Sequence, residues 1–359
     1  MREKAIALLK ELTEAHGAPG FEDEVRSIFA QELAGAGDLS TDGNGSVFCE
    51  QGELGPRVLL AGHMDEVAFR VQNITPDGFI QFVTLGGWWS HTLLAQRVEV
   101  RTRDGRKILG VVSSKPPHFL PESERQRVMP AEQMFIDVGA ASRKELEASI
   151  GIRIGDPIVP LTPFSPMADE HLFMAKAFDN RVGMACAIQA SQELKGVECP
   201  NTLIACGTVQ EEVGVRGATT AAVQAQPDVC IVLEGTPADD TPGFNRSASQ
   251  GMMGEGVQIR MQDPTAIMNP ALVDLCVGVA RDCGIRHQLA LRSSGGTDAR
   301  AFHLSGRGVP TIVLGVPSRY IHSHNSIIDI RDYLSMVELA VALIRKLDRA
   351  TVDSLTDYL

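Results

Sequence analysis

Four short apolar runs constrain this chain more than anything else in it. They are RVLLAG (57–62), TLIACGTV (202–209), DVCIVLEG (228–235) and VPTIVLGV (309–316). Runs this short, continuous rather than alternating, suit strands covered on both faces of a sheet. From about residue 170 they interleave with helical patterns. NRVGMACAIQASQEL precedes the second run, GATTAAVQAQ the third, and NPALVDLCVGVARDCG the fourth. DYLSMVELAVALIRKLDRAT closes the series. Alternating strands and helices predict an α/β fold with a mostly parallel mixed sheet between helices.

The first 66 residues feed the same sheet. MREKAIALLKELTEAHG reads as an amphipathic helix with Ile6, Leu8, Leu9 and Leu12 on one stripe, without the continuous apolar segment of a secretory signal. FEDEVRSIFAQELAG holds a second helix, and SVFCEQG a strand. The texture then changes. VAFRVQNITPDGFIQFVTLGG alternates around a Pro-Asp-Gly turn, and RVEVRTRDGRKILGVV repeats the hairpin style. FIDVG and DPIVPL add short strands, and SRKELEASI is the one helical pattern there. The expected organisation is an α/β domain of residues 1–66 and 164–359, interrupted by a small β-rich domain at 67–163.

Composition removes several function classes. A net charge of −12 with no Lys/Arg cluster argues against nucleic acid, whose phosphates need clustered cations. No run reaches the ~18 apolar residues of a membrane span. The seven cysteines are odd in number and form no CxxC pair. They read as small buried thiols, and a cytoplasmic location is the expectation.

Ligands of open α/β sheets bind beyond the carboxyl ends of the strands. His63 and Asp65 follow RVLLAG, Glu211 and Glu212 follow TLIACGTVQ, Glu234 follows DVCIVL, and His322 and His324 follow VPTIVLGVPSRY. Asp179, just before a helix, can face the same crevice. Buried carboxylates and imidazoles are expensive unless something pairs with them. Mixed nitrogen and oxygen donors suit zinc, with cobalt or manganese as alternatives. Two imidazoles and three carboxylates exceed one catalytic zinc and fit two divalent ions with a bridging carboxylate. Adjacent side chains in extended backbone point opposite ways, so one of Glu211 and Glu212 can hold a metal while the other serves as general base.

HMDE (63–66), KAFDNR (176–181), QEEVGVRGA (210–218), GGTDA (295–299) and RYIHSH (319–324) resemble the glutamyl aminopeptidase family of dinuclear metallopeptidases. The family includes the tetrahedral aminopeptidases and relatives labelled cellulase M or deblocking aminopeptidase. The likeness runs nearly end to end, including the insertion and the closing KLDRATVD. It implies a zinc-peptidase-like catalytic domain and an inserted β-barrel-like domain used in dimer contacts, with dimers commonly building a hollow dodecamer. Carried over, His63 and Glu234 hold one metal, Glu212 and His322 the other, and Asp179 bridges them. Glu211 becomes the general base, and Asp65 orients His63. The pattern RYIHS favours His322 over His324. Many members carry Asp where this chain has Glu234, which places that ligand's reach in question.

The implied reaction is release of an N-terminal residue from a peptide. Arg260 and Arg292 are candidate partners for an acidic first side chain. Members that favour acidic residues often have Lys where this chain has Ser294, so broader specificity stands beside the acidic one. The GGTD turn at 295–298 reads as structural support. Three other classes compete: a metal-dependent deacylase of small N-acyl amino acids, a glycoside hydrolase, and a non-enzymatic assembly protein. Paired imidazoles argue against the glycosidase, whose chemistry needs two carboxylates without metal.

Overall fold

The structure, a computed structural model, describes all 359 residues. In chain order the strands are β1 (Asp38–Thr41), β2 (Val47–Gln51), β3 (Arg57–His63), β4 (Ala68–Ile74), β5 (Ile80–Leu85), β6 (Arg97–Arg101), β7 (Lys107–Ser113), β8 (Phe135–Asp137) and β9 (Pro157–Pro160). They continue with β10 (Ser165–Pro166), β11 (Leu172–Ala175), β12 (Thr202–Thr208), β13 (Val229–Pro237), β14 (Val257–Asp263), β15 (Ala266–Ile267), β16 (His287–Leu291), β17 (Thr311–Arg319) and β18 (Ser326–Asp329).

One large mixed sheet runs β1-β2-β12-β3-β13-β17-β18-β11-β10, with β14 added alongside β17. Its centre, β12-β3-β13-β17, is parallel. β2 joins β12 antiparallel, and β18 joins β17 the same way. The mostly parallel expectation therefore describes the middle of the sheet, where helical crossovers return the chain to one edge. The β1-β2 and β18-β11-β10 flanks pair antiparallel, and β14, antiparallel to β17, takes β16 in parallel through the helix Pro270–Asp282. Every residue of β12 is buried, as is all of β3 after Arg57. That double-sided burial is why these strands carry no alternation.

Helix Phe178–Leu194 packs on β3 and β13 and against helices Arg2–Glu14 and Ile330–Ile344. Helix Arg216–Ala225 packs on β12 and the short helix Ala299–Phe302. In the first helix Ala5, Leu8, Leu9 and Leu12 are buried, close to the predicted stripe.

β4, β5, β8, β7, β6 and β9 close a six-stranded antiparallel barrel. Its strands alternate buried and exposed positions, as in β6 and β7. The barrel has its own core of 14 buried apolar residues, against 71 in the main one. Two separate cores make the barrel a second packing unit, its strands falling between β3 and β10 of the main sheet. SRKELEASI there is only a turn of α-helix running into a π-helical turn.

The register explains where the candidate site sits. β3 pairs with β12 through His63 opposite Thr208. It pairs with β13 only as far as Ala61 opposite Val232. Beyond that point β13 continues beside β17 alone, Glu234 opposite Gly315. The chain of β3 leaves the sheet at His63, and a crevice opens over Glu234. No helix is long and apolar enough to cross a membrane.

Candidate metal centre

His63, Asp179, Glu211, Glu212, Glu234 and His322 converge on this crevice. The arrangement centres on Asp179. His63 Nε2 lies 3.1 Å from Asp179 Oδ1, and His322 Nε2 lies 3.3 Å from Oδ2. Each oxygen of one carboxylate therefore faces a different imidazole. Glu234 Oε2 is 3.7 Å from His63 Nε2, and Glu212 Oε2 is 3.4 Å from His322 Nε2. Glu211 stands back, its Oε2 3.9 Å from His63 Nε2. Donor atoms of His63, Asp179 and Glu212 all lie within 4.8 Å of one another.

The ring tautomers follow from the outer contacts. His63 Nδ1 is 3.1 Å from the carbonyl of Asp65, and His322 Nδ1 is 2.9 Å from the carbonyl of Gly87. A carbonyl only accepts, so each Nδ1 carries a proton and donates it. That leaves each Nε2 pointing inward with its lone pair free for a proton or a cation. Glu212 Oε1 is buried with no hydrogen-bond partner. Two inward lone pairs, a carboxylate with both oxygens engaged separately and an orphaned carboxylate oxygen suit divalent cations.

The electrostatics agree. Burial, reinforced by neighbouring carboxylates, pushes Glu212 up to about 8 and raises Glu211 and Glu234 well above the usual carboxylate range. Burial alone would raise Asp179 too, but the imidazoles of His322 and His63 hold it well below that range. The same contacts overcome the burial of the rings and lift His322 to about 9 and His63 well above its ordinary value. The centre is rich in anionic donors and favours positive charge throughout.

Backbone strain clusters here. Ala177, Gln210 and His322 are non-glycine residues with φ of 57°, 56° and 55°. One lies beside, or at, each of three loops that carry the donors. Left-handed backbone at such residues costs about 1–3 kcal/mol and persists only where the surroundings impose it. Asp179 itself has non-helical φ and ψ at the kinked start of its helix.

Asp65 does more than orient a ring, the role the sequence suggests for it. Its Oδ1 lies 3.4 Å from His63 Nδ1, farther than its own carbonyl. Its two carboxylate oxygens accept the backbone N–H groups of Glu211 at 2.9 Å and Glu212 at 3.0 Å. One buried acid thus fixes the His63 loop and the paired glutamates together. His324 is turned away. Its buried ring packs 5.3 Å from Trp88, and burial lowers it to about 4. Arg260 is buried, with its Nη1 3.3 Å from Asp263, and its charge reaches Glu234. Arg292 pairs with Asp239 at 2.7 Å and donates to the carbonyl of Pro237.

A sequence profile of the M42 glutamyl aminopeptidase family matches residues 45–339. The chain belongs to the M42 family. It is 36% identical to the glutamyl aminopeptidase of Lactococcus lactis subsp. cremoris (strain MG1363), over 98% of each chain. A TET aminopeptidase from the marine sediment archaeon Thaumarchaeota archaeon SCGC AB-539-E09 superposes with a TM-score of 0.95. It is 42% identical and is matched over 99% of both chains. The TET1 peptidase of Pyrococcus horikoshii superposes with a TM-score of 0.86 at 30% identity, covering 96% of this chain and 100% of that one. The protein is thus a metal-dependent aminopeptidase, and the relatives give no support to the deacylase alternative.

Several M42 residues around the centre went unassigned in the sequence. Glu66 sits in HMDE, and Lys176 and Arg181 flank Asp179 in KAFDNR. Lys176 Nζ donates to Glu66 at 2.6 Å and Arg181 Nη2 at 3.0 Å, all three buried. This clamp ties the segment after His63 to both sides of Asp179. Glu22 Oε1 accepts the backbone N–H of Gln210 at 3.2 Å, holding the strained residue before the glutamates. Asp298 of the GGTD turn is buried and accepts a hydrogen bond from Thr208 at 2.5 Å, so the turn supports the sheet edge from below. Gly86 and Gly87 press against the centre from the barrel side. A Cβ on Gly87 would lie 3.2 Å from His322 Nδ1. HMDE and KAFDNR contain Glu66, Lys176 and Arg181, but no spacing marks them as partners of one another.

Proposed function

We propose that this enzyme releases N-terminal residues from peptides using two divalent cations, zinc first and cobalt or manganese as alternatives. His63 and Glu234 would hold one, His322 and Glu212 the other, and Asp179 would bridge. The observation that carries this reading is Asp179, whose two oxygens each face a different imidazole. Glu234 reaches His63 Nε2 despite its extra methylene relative to the common Asp, because β13 extends past the end of β3.

Bound there, the cations supply Lewis-acid polarisation of the scissile carbonyl and make a water more acidic. The remaining work belongs to the side chains. Glu211, its Oε2 3.9 Å from His63 Nε2, would receive the proton of the attacking water. It then delivers that proton to the leaving amine. Asp65 holds the backbone of Glu211 and Glu212 so that one acid serves as base and its neighbour as ligand. Glu211→Gln tests the assignment. It should retain metal by elemental analysis and lose about 10²–10⁴ in kcat. Turnover near wild type in that variant removes Glu211 from the role.

Arg260, paired with Asp263, and Arg292, paired with Asp239, each keep an Nε without a partner, and both are candidates for receiving an acidic first side chain. Ser294, in place of the common Lys, supports a range that includes neutral residues. A panel of aminoacyl anilides distinguishes the two.

Residues 67–163 would form the dimerisation domain and residues 1–66 with 164–359 the catalytic one. The P. horikoshii relative assembles into a tetrahedron or a large octahedral shell. We expect this chain to form dimers that build a dodecamer in the cytoplasm, with a light-scattering mass near twelve subunits.

A further inference from the structure

The two ends of the metal centre differ in depth. The side chain of His63 is 2% exposed and that of Glu234 is 5%, whereas His322 is 38% exposed. Removal of a single terminal residue needs a blind end for the cationic amine and an open end through which the rest of the chain leaves. The blind end is carboxylate-rich, formed by Glu234 and Glu211 around His63. The open end is His322.

His322 also lines a cleft of about 750 Å³ that opens beside the centre. Its walls are Trp89 and His91, in ring contact at 4.5 Å, with Tyr320 among the residues lining the cleft. Trp88 and His324 back it, with Trp88 stacked on Phe69 at 4.6 Å. No Asp, Glu, Lys or Arg lines it. Trp89 and Tyr320 are 66% and 55% exposed, large aromatic surfaces next to the chemistry. Tyr320 and His322 both have left-handed φ, of 61° and 55°, which persists only where the surroundings impose it.

We infer that this aromatic cleft is the subsite for the side chain immediately after the scissile bond, and that it selects apolar and aromatic residues there. The inference rests on the aminopeptidase reading and adds a substrate class to it. An aromatic side chain entering the cleft meets the faces of Trp89 and Tyr320 and loses its contact with water. A glycine at the same position gains neither. No Asp, Glu, Lys or Arg lines the cleft to neutralise an acidic or basic residue, which disfavours both.

The test fixes the first residue at the one wild type removes fastest and varies the second in tripeptides ending in Ala. Wild type should favour Phe over Gly in the second position by about tenfold in kcat/KM. Trp89→Ala and Tyr320→Ala should each compress that ratio to about threefold or less, with metal content as in wild type. Their exposure makes loss of folding an unconvincing cause, and circular dichroism checks it. A ratio that survives both substitutions overturns the proposal. Equal losses on Phe and Gly substrates overturn it too, as does a changed ranking of the first residue with the second held constant. Wild type that releases no N-terminal residue from any peptide sinks the aminopeptidase reading as well. Wild type that releases them with no preference at the second position sinks only the subsite.

Discussion

The two imidazoles facing Asp179 sit in opposite surroundings. His63 ends a central strand, is enclosed on all sides, and is held by the carbonyl of Asp65 two residues away. His322 rides a loop beyond β17, is partly exposed, and is held by a carbonyl 235 residues away in the barrel. One half of the centre is thus a product of the sheet edge alone. The other is a joint product of the sheet and the insertion. The difference teaches that depth and sequence distance run together here: the imidazole held locally is deep, and the one held from afar is where the site opens to solvent.

Asp179→Ala should be the most damaging change, because it removes the one group common to both halves. Metal content by elemental analysis should fall for both sites, and activity should drop by more than the about 10²–10⁴ expected of Glu211→Gln. Loss of a single ion there would mean that the halves do not share this carboxylate. Chelation gives the next contrast. Metal should leave in two phases, the faster from His322 and Glu212, and His322→Ala should abolish that phase alone. A single phase in wild type would erase the distinction between deep and shallow.

Both halves should respond to pH, because both imidazoles are raised by the carboxylates that face them. His322 is lifted to about 9, so below that value a proton occupies the Nε2 that a cation needs. Binding must displace the proton, and affinity should therefore rise with pH up to about 9. Titration calorimetry in buffers of different ionisation enthalpy should detect proton release; none at pH 7 would contradict the lift. Asp65→Asn should cost about 10–100-fold in activity, since it loosens the backbone of both glutamates and disturbs His63. Gly87→Ala should have the smallest effect, a few-fold weakening confined to the faster-leaving metal. A larger effect on the slow phase would reverse the assignment of the barrel to the shallow half.

The legible part of the fold was its buried centre. β3, β12, β13 and β17 announced themselves as continuous apolar runs because both faces are covered. The barrel hairpins were visible through alternation and turn residues. β14 and β16 were not read as strands. VQIRMQD and HQLAL carry polar residues at positions that only the finished sheet buries, such as Gln258 and Arg260. In the site, every donor at a strand end could be found from the residues at the carboxyl end of each apolar run. Glu66, Lys176 and Arg181 could not, because their meaning lies in a mutual contact across 110 and 115 residues. The additional role of Asp65 as anchor of the glutamate backbone was equally hidden, since a side chain accepting main-chain N–H groups leaves no spacing signature.

The carbonyl of Gly87 makes the insertion something other than a detachable passenger. Excising residues 67–163 to obtain a minimal catalyst would take away the acceptor that sets the tautomer of His322, however well the remaining sheet refolded. Swapping in a barrel from elsewhere would succeed only if its first hairpin returned a main-chain oxygen to the same spot. Whatever else the barrel does, its freedom to drift in sequence is curtailed at one glycine pair by chemistry that takes place in its host.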